Sequence, residues 1–294
     1  MIIVRLMGGL GNQMFQYALG RNLSLMHNTE LKLDLSSFCG WQYPSIRHYE
    51  LNCFNIEENF CENDELKKLK GSVFILNNPL TFFLSKVLFS SQNSTYFREK
   101  TYEFNDSIFS SGTDLYLEGY WQSEKYFASI RDVLLSDFSY KESNILRSSV
   151  LLDEIKNSEA IAVHIRRGDY TKKRLQKIYH LCSLDYYTDA VNFISDKISN
   201  PHVFVFSDNP QWAMENLKLN CKTTFIEHEQ KAKGWIDMQL MRMCKHFVIA
   251  NSSFGWWGAW LATNPNKIVV APQHWFKSEK LNTKDLIPSS WIKM

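Results

Sequence analysis

Apolar residues in the second half of the chain fall in short runs that alternate with amphipathic stretches. Short apolar runs between polar residues are typical of buried strands, whereas a 3.6-residue repeat of apolar positions is typical of helices. The predicted strands are Ala160–Ile165, His202–Phe206, Thr223–Ile226, Phe247–Ala250 and Lys267–Ala271. The predicted helices are Leu184–Ile198, a helix that begins at Pro210, Trp235–Cys244 and Phe254–Ala262. This alternation predicts an α/β unit with a parallel sheet and helices on both of its faces.

The first half of the chain has a more mixed pattern. Its predicted strands are Ile2–Leu6, Leu31–Asp34 and Asp114–Trp121, and its predicted helices are Gln13–Met26 and Ser123–Leu135. A polar stretch at 141–144 and a helical segment at Ser149–Lys156 separate the two patterns. We therefore expect two domains, residues 1–150 and residues 151–294.

Composition and charge exclude several classes of protein. Hydrophobic residues make up 45% of the 294 residues and charged residues 22%, which is typical of a globular chain. The 33 basic residues nearly balance the 31 acidic ones, whereas a dedicated nucleic-acid-binding protein is usually far more basic. We therefore expect no nucleic-acid partner.

The cysteines and the N-terminus indicate a compartment. The six cysteines form no Cys-x-x-Cys pair, so we expect free, buried thiols in a reducing environment. The chain opens with a predicted strand and not with a secretory signal, which favours a cytoplasmic protein. The apolar stretch Pro79–Ser90 is too short to span a bilayer and contains Lys86. It is interpreted as a buried helix, with peripheral association with the inner face of the plasma membrane as the alternative.

Three polar segments follow predicted strands of the second half: His164–Tyr170, Ser207–Asn209 and Asn251–Ser253. Ligands of parallel α/β sheets bind at the carboxyl ends of the strands. We therefore expect these three segments, which are far apart along the chain, to form one site.

The first segment carries two adjacent arginines, Arg166 and Arg167. A guanidinium binds phosphate oxygens through paired N–H donors and keeps its charge at physiological pH. Because side chains alternate along a strand, we expect one arginine to face the ligand and the other to be braced, with Asp169 as its partner. The alternative is a solvated arginine pair at the end of a strand.

The other two segments have both a capping and a ligand-binding interpretation. The tripeptide Asn251-Ser252-Ser253 precedes a predicted helix, whose N-terminal N–H groups attract anions such as phosphate. Asp208 and Asn209 precede Pro210, and a carboxylate there suits the ribose or the guanine edge of a nucleotide. Helix capping alone remains the alternative for both segments.

A glycine-rich loop, Gly8-Gly9-Leu10-Gly11-Asn12-Gln13, lies between a predicted strand and a predicted helix. Met14 stands in place of the third glycine of a dinucleotide-binding loop, so a dinucleotide oxidoreductase is the least favoured interpretation. Gly9 and Gly11 let a ligand approach the backbone closely, with Asn12 and Gln13 beside it. The sequence contains no metal-binding motif and no Walker A motif, so we expect no metal.

Four segments in order resemble the bacterial α-1,2-fucosyltransferases of glycosyltransferase family 11, which are inverting fucosyltransferases with an H-x-R-R motif. They are GGLGNQMFQYA at 8–18, HIRRGDY at 164–170, FSDN at 206–209 and IANSSFGWWGAWL at 249–261. The resemblance extends from residue 1 to about residue 276. Four motifs in the same order and spacing make it specific, which the arginine pair alone is not.

The resemblance implies a GT-B architecture, two Rossmann-like domains facing each other across a cleft, with the acceptor bound mainly by residues 1–150 and GDP-fucose by residues 151–294. It implies inverting transfer of L-fucose from GDP-β-L-fucose to the 2-hydroxyl of a galactose in a surface polysaccharide or oligosaccharide, without a metal.

The resemblance also implies roles for individual residues. They are His164 near the nucleoside, Arg166 or Arg167 on the diphosphate, Asp208 or Asn209 on guanine or ribose, and Ser252 and Ser253 capping the helix that faces the β-phosphate. The loop at 8–13 is implied to face the donor sugar and the acceptor.

Two positions depart from the family pattern, because Gly255 stands where serine is usual and Asn209 where a second aspartate is frequent. The acceptor hydroxyl must lose a proton, for which Asp169 and Glu118 are the candidate bases. A strongly dissociative reaction needs neither. The competing interpretations are a transferase that makes an α-1,6 or α-1,3 fucosyl linkage and a non-catalytic nucleotide-sugar-binding protein.

Overall fold

The computed structural model describes residues 1–38, 47–70, 95–144, 150–227, 234–278 and 281–294. Contacts divide the chain into two compact units. Unit 1 comprises Met1–Lys141 and Lys284–Leu286, and unit 2 comprises Glu142–Thr283 and Ile287–Met294. The sequence placed the domain boundary between residues 150 and 151. Cys39 and the apolar stretch Pro79–Ser90 lie outside the described residues.

Unit 1 is built on a parallel sheet of four strands in the order β2-β1-β4-β3. The strands are β1 (Ile2–Arg5), β2 (Leu31–Asp34), β3 (Tyr96–Arg98) and β4 (Leu115–Glu118). The described helices are α1 (Leu10–Met26), α2 (Asn63–Lys70) and α3 (Arg131–Asp137). Helix α1 contacts β1 and β2, and thirteen of its seventeen residues are buried. This burial explains why its sequence shows little amphipathic contrast.

Unit 2 is built on a parallel sheet of six strands in the order β10-β9-β8-β5-β6-β7. The strands are β5 (Glu159–Ile165), β6 (Pro201–Ser207), β7 (Lys222–Phe225), β8 (His246–Ile249), β9 (Val269–Ala271) and β10 (Ile292–Lys293). The described helices are α4 (Val150–Lys156), α5 (Leu184–Ser195), α6 (Pro210–Asn216), α7 (Gly234–Met241) and α8 (Ser253–Leu261).

Strand β5 lies in the middle of the sheet of unit 2, hydrogen-bonded to β6 on one side and β8 on the other. Every residue of β5 after Glu159 is buried, which is why the strand is a continuous apolar run without alternation. Helix α5 covers one face of it, with Val191 and Ile194 in the same core cluster as Ile161 and Val163. The prediction of an α/β fold with parallel sheets is confirmed.

One predicted helix of unit 1 is wrong. The segment Ser123–Leu135 forms two 3₁₀ turns, Glu124–Tyr126 and Ala128–Ile130, followed by α3. Phe127, with a φ of −151°, breaks the run between the two turns. Its side chain is fully buried, as is that of Tyr126, so core packing overrides the local helical pattern.

Two further observations bear on expectations from the sequence. The described cysteines are free thiols; Cys53 and Cys244 are buried, and the other three are half-buried. Among the described residues, no helix combines the length and apolarity that crossing a bilayer requires.

Candidate active site

The carboxyl ends of β5, β6 and β8 lie side by side in unit 2. His164 is in register with Phe206 of β6 and Ile249 of β8, and Ile165 is in register with Ser207. The three polar segments that follow these strands therefore begin at one edge of the sheet, as the sequence predicted.

Arg166 is held between two carboxylates at this edge. Its Nη2 donates to Asp169 Oδ1 at 2.7 Å, and its Nη1 lies 3.1 Å from Asp208 Oδ2. Burial by itself lowers the pKa of the guanidinium. The charges of Asp208 and Asp169 raise the pKa by more than burial lowers it, so the net shift is upward. Arg166 is thus a permanent cation with a fixed orientation, and Asp169 serves as its brace.

Arg167 has different surroundings. Its guanidinium carbon lies 3.6 Å from the centre of the Trp212 ring, which is a cation–π contact with the first turn of α6. Its backbone N–H donates to Asp208 Oδ1 at 2.8 Å. In the described part of the chain no carboxylate pairs with its side chain, so the N–H edge of Arg167 stays open for an anionic ligand.

Gly168 allows the loop to approach Asp208 closely. A Cβ atom at position 168 would lie 2.5 Å from Asp208 Oδ2, which is shorter than real Cβ contacts. Any larger residue would therefore push Asp208 away from Arg166 and from the N–H of Arg167. A single carboxylate, Asp208, thus holds both arginines.

His164 is buried beneath the N-terminus of α8. Burial, and secondarily the charge of Arg166, lower its pKa to about 3, so the imidazole is neutral at physiological pH. Its Nδ1 is buried and has no hydrogen-bond partner among the residues that the structure describes. A Cβ atom at Gly255 would lie 2.6 Å from that nitrogen, so the absence of a side chain at Gly255 makes room for the ring.

The N-terminus of α8 presents a serine that does not cap its own helix. Ser252 occupies the N-cap position in extended geometry, but its side chain makes no capping hydrogen bond. Serine at this position normally accepts an N–H of the first turn. The hydroxyl of Ser252, the following Ser253 and the first N–H groups of the helix together have the chemistry of an anion site.

Two residues that the sequence proposed for ligand binding are engaged within the protein. Asn251 is buried; its amide nitrogen donates to the carbonyl oxygens of His180 and Trp275, both at 2.7 Å. Asn209 caps α6 by accepting the N–H of Trp212 at 3.2 Å. The contact of Asn209 matches its capping alternative, whereas Asn251 binds two backbone carbonyls and does not cap α8.

In unit 1 the segment at 8–13 comprises Gly8 and Gly9 of the turn after β1 and the first residues of α1, which begins at Leu10. Gly8 has a φ of +80°, and Gly9 is the N-cap of α1 without a side-chain cap. Gln13 is fully buried and bonds the backbone at Gly8, His48 and Glu50. Asn12 is half-buried, and its Oδ1 accepts from Gln122 Nε2 at 2.8 Å.

Glu118, a candidate base, is held by its neighbours on the sheet. Its carboxylate lies 3.0 Å from Arg5 Nη1 and 2.8 Å from the hydroxyl of Tyr96, which donates to it. Both carboxylate oxygens of Glu118 are therefore engaged within unit 1.

The sequence did not single out Glu99, which directly follows β3. Burial raises the pKa of this carboxyl to about 7, although N–H groups of Tyr120 and Trp121 donate to it. A three-residue strand in an irregular part of the sequence offered no signal for it. Among the described residues, no cluster of His, Cys, Asp and Glu has the arrangement to hold a metal ion.

Comparison with known proteins gives one family. The model of glycosyl transferase family 11 matches residues 1–294. An α-1,2-colitosyltransferase of Escherichia coli is 34% identical over 298 residues, covering 100% of this chain and 98% of that protein. The O-antigen biosynthesis glycosyltransferase WbnK of Escherichia coli is 34% identical over 301 residues, covering 98% of this chain and 99% of that protein.

The fold is also found among solved structures. The crystal structure of the α-1,6-fucosyltransferase NodZ soaked with GDP-fucose aligns with a TM-score of 0.51 and 15% identity. The alignment covers 92% of this chain and 94% of that one. At this identity the likeness shows a shared fold.

Proposed function

This chain belongs to glycosyl transferase family 11, and from that premise we propose that it is an inverting galactoside α-1,2-fucosyltransferase. In this proposal L-fucose passes from GDP-β-L-fucose to the 2-hydroxyl of a β-galactose in a surface polysaccharide or oligosaccharide. The architecture is GT-B, with unit 2 binding the donor and unit 1 binding most of the acceptor. The protein acts in the cytoplasm, where it meets a nucleotide-sugar donor.

The observation that carries the proposal is the arrangement around Asp208. One carboxylate holds both arginines beside the uncapped Ser252 at the carboxyl edge of a parallel sheet. Guanidinium groups and helix N-termini both bind phosphate oxygens. A nucleoside diphosphate is the ligand whose chemistry fits both features.

The proposed mechanism follows from these charges. As the bond between the anomeric carbon and the β-phosphate oxygen breaks, negative charge grows on the GDP. The fixed cation of Arg166, the open edge of Arg167 and the N-terminus of α8 stabilise that charge without reorganising. The acceptor oxygen attacks from the opposite face, which inverts the configuration, and its proton passes to solvent water.

The base is proposed to be neither of the two carboxylates that the sequence favoured. Asp169 pairs with Arg166, and Glu118 pairs with Arg5, so each carboxylate is already engaged within the protein. We assign Asp169 the role of brace and treat the reaction as strongly dissociative. Asp169→Asn should then lose GDP affinity together with transfer, whereas a base would lose transfer alone.

A second donor is favoured by one observation: the E. coli α-1,2-colitosyltransferase is 34% identical over the whole chain. Colitose is L-fucose without its 3-hydroxyl. A site that hydrogen-bonds a hydroxyl discriminates strongly against a sugar that lacks it, so one donor should be clearly preferred.

The test is a transfer assay with GDP-fucose and GDP-colitose on a panel of β-galactoside disaccharides, with the product linkage read by NMR. An α-1,2 product from GDP-fucose supports the proposal. Preference for GDP-colitose supports the second candidate donor. An α-1,6 or α-1,3 product overturns the proposed α-1,2 linkage. Donor binding without transfer to any galactoside indicates a non-catalytic nucleotide-sugar-binding protein.

A further inference from the structure

The turn that follows β4 in unit 1 has an unusual backbone. Trp121 has a φ of +57°, in the left-handed region that a bulky side chain rarely adopts. Its indole is buried and packs edge-on against Tyr126 at 5.6 Å. Such conformations persist only where the surroundings impose them, and they concentrate at functional sites.

Glu99, which directly follows the neighbouring strand β3, imposes this conformation. Its carboxylate accepts the N–H of Tyr120 at 2.6 Å and the N–H of Trp121 at 3.1 Å. Gly119 permits the approach, because a Cβ there would lie 2.4 Å from the Cβ of Glu99. Burial of the carboxyl, which raises its pKa to about 7, shows that the arrangement is costly to maintain.

The same turn places Gln122 against Asn12, which lies in the first turn of α1. Gln122 Nε2 donates to Asn12 Oδ1 at 2.8 Å. Gln16 ties the two loops further, since its amide accepts the N–H of Met7 and donates to the carbonyl of Gly119. The carboxyl ends of β1 and β4, which are neighbouring strands, are thereby joined.

The Asn12–Gln122 amide pair has hydrogen-bonding capacity left over. For the described residues, neither the Asn12 amino group nor the Gln122 amide oxygen has a partner, and neither atom is fully shielded from solvent. The pair therefore offers one donor and one acceptor side by side. A sugar hydroxyl, which both donates and accepts, is the group that this pair complements.

We propose that the Asn12–Gln122 pair binds a hydroxyl of the acceptor sugar, and that Glu99 is the positioning residue that holds the pair in place through the turn at 119–122. The proposal rests on the proposed function, in which unit 1 binds a galactoside. Asn12 lies in the first of the four sequence motifs, whereas Gln122 and Glu99 lie outside all four.

The experiment measures transfer kinetics of Glu99→Ala, Glu99→Gln and Gln122→Ala against a β-galactoside disaccharide. We expect Glu99→Ala and Gln122→Ala each to raise the acceptor KM at least tenfold, with the Kd for GDP within twofold of wild type. Glu99→Gln keeps one acceptor oxygen and should recover part of the loss. Because both act on one contact, the double variant Glu99→Ala with Gln122→Ala should be no worse than the poorer single variant.

Glu65→Gln is the matched control, since Glu65 is a half-buried carboxylate of the same unit that pairs with Lys32. Its acceptor KM should stay at the wild-type value. A general loss of folding would lower the GDP affinity and the melting temperature along with the acceptor affinity. An unchanged acceptor KM in Glu99→Ala or Gln122→Ala overturns the proposal.

The two proposals fail in distinguishable ways. If the wild type transfers to no galactoside, the proposed function fails, and the subsite is tested by saturation-transfer NMR with methyl β-galactoside. Binding by the wild type that Gln122→Ala abolishes supports the subsite. Absence of binding by the wild type, or equal binding by the variant, overturns it.

Discussion

Replacement of Asp208 by asparagine tests the arrangement that supports the donor site. The change keeps the size of the side chain and one oxygen that can accept the backbone N–H of Arg167. In the wild type that nitrogen lies 2.8 Å from Asp208 Oδ1. It removes the negative charge that lies 3.1 Å from Arg166 Nη1 and turns an N–H donor towards that guanidinium. Arg166 then keeps only its bond to Asp169.

The expected magnitude comes from the one charge-assisted contact that is lost. A hydrogen bond to a charged group contributes about 1.5–3 kcal/mol. If Arg166 stabilises the departing diphosphate only in its clamped position, kcat/KM for GDP-fucose falls by about 10- to 150-fold. The Kd for GDP should rise by a similar factor, because the product carries the same diphosphate.

The assay compares Asp208→Asn with Glu215→Gln, which removes an exposed carboxylate from the same helix that carries Trp212. Steady-state kinetics and GDP titration are read together with the melting temperature. A kcat/KM for Asp208→Asn within threefold of wild type, with Glu215→Gln also unaffected, would refute the assignment of Asp208 as the common support of the arginines.

Four other predictions test separate parts of the site. Arg167→Ala should lose most transfer, and Arg167→Lys should recover little of it, since an ammonium neither stacks flat on Trp212 nor presents a planar edge; kcat/KM of the two variants checks this. Gly255→Ala should weaken GDP binding, measured by titration, because the new Cβ displaces the His164 ring. The pKa of Glu99, about 7 in the folded chain, exceeds its ordinary value of 4.5, so the folded state keeps a proton that the unfolded chain has released. The free energy of unfolding should therefore fall by about 3 kcal/mol as the pH rises from 4.5 to 7, and denaturant titrations of Glu99→Gln should show a flatter profile. Transfer should persist in excess EDTA; complete loss that Mg²⁺ or Mn²⁺ restores would overturn metal independence.

Much of unit 2 could be predicted because its central strands β5 and β8 are buried on both faces and helix α5 on one. The run at 160–165 and the helix that begins at Leu184 carry patterns that no other element type explains well. Because the carboxyl ends of parallel strands share an edge, the meeting of the three polar segments followed from the prediction of a parallel sheet. Unit 1 was less predictable, since three-residue strands such as β3 carry too few residues for a periodic signal.

Roles within the site could not be assigned from residue types. Arginine, aspartate and asparagine each allow a binding and a bracing role, and the choice depends on which atoms lie within hydrogen-bond distance. In the structure Asp169 accepts from Arg166, and Asn251 donates to two backbone carbonyls. Asn209 accepts an N–H of the first turn of α6. It also brings Glu99 to the turn after β4, a contact across strands that local sequence does not encode.

The sequence by itself determined the α/β class, the edge at which polar groups gather and the family, because periodicity, the alternation of strands and helices along the chain, and motif spacing are properties of the chain. Only the tertiary structure decided which arginine is clamped and which is open, that Ser252 leaves its helix uncapped, and that Asn12 and Gln122 form a pair. The physical reason is that hydrogen bonds and desolvation act over a few ångströms. They therefore depend on which side chains the fold brings together from distant parts of the chain.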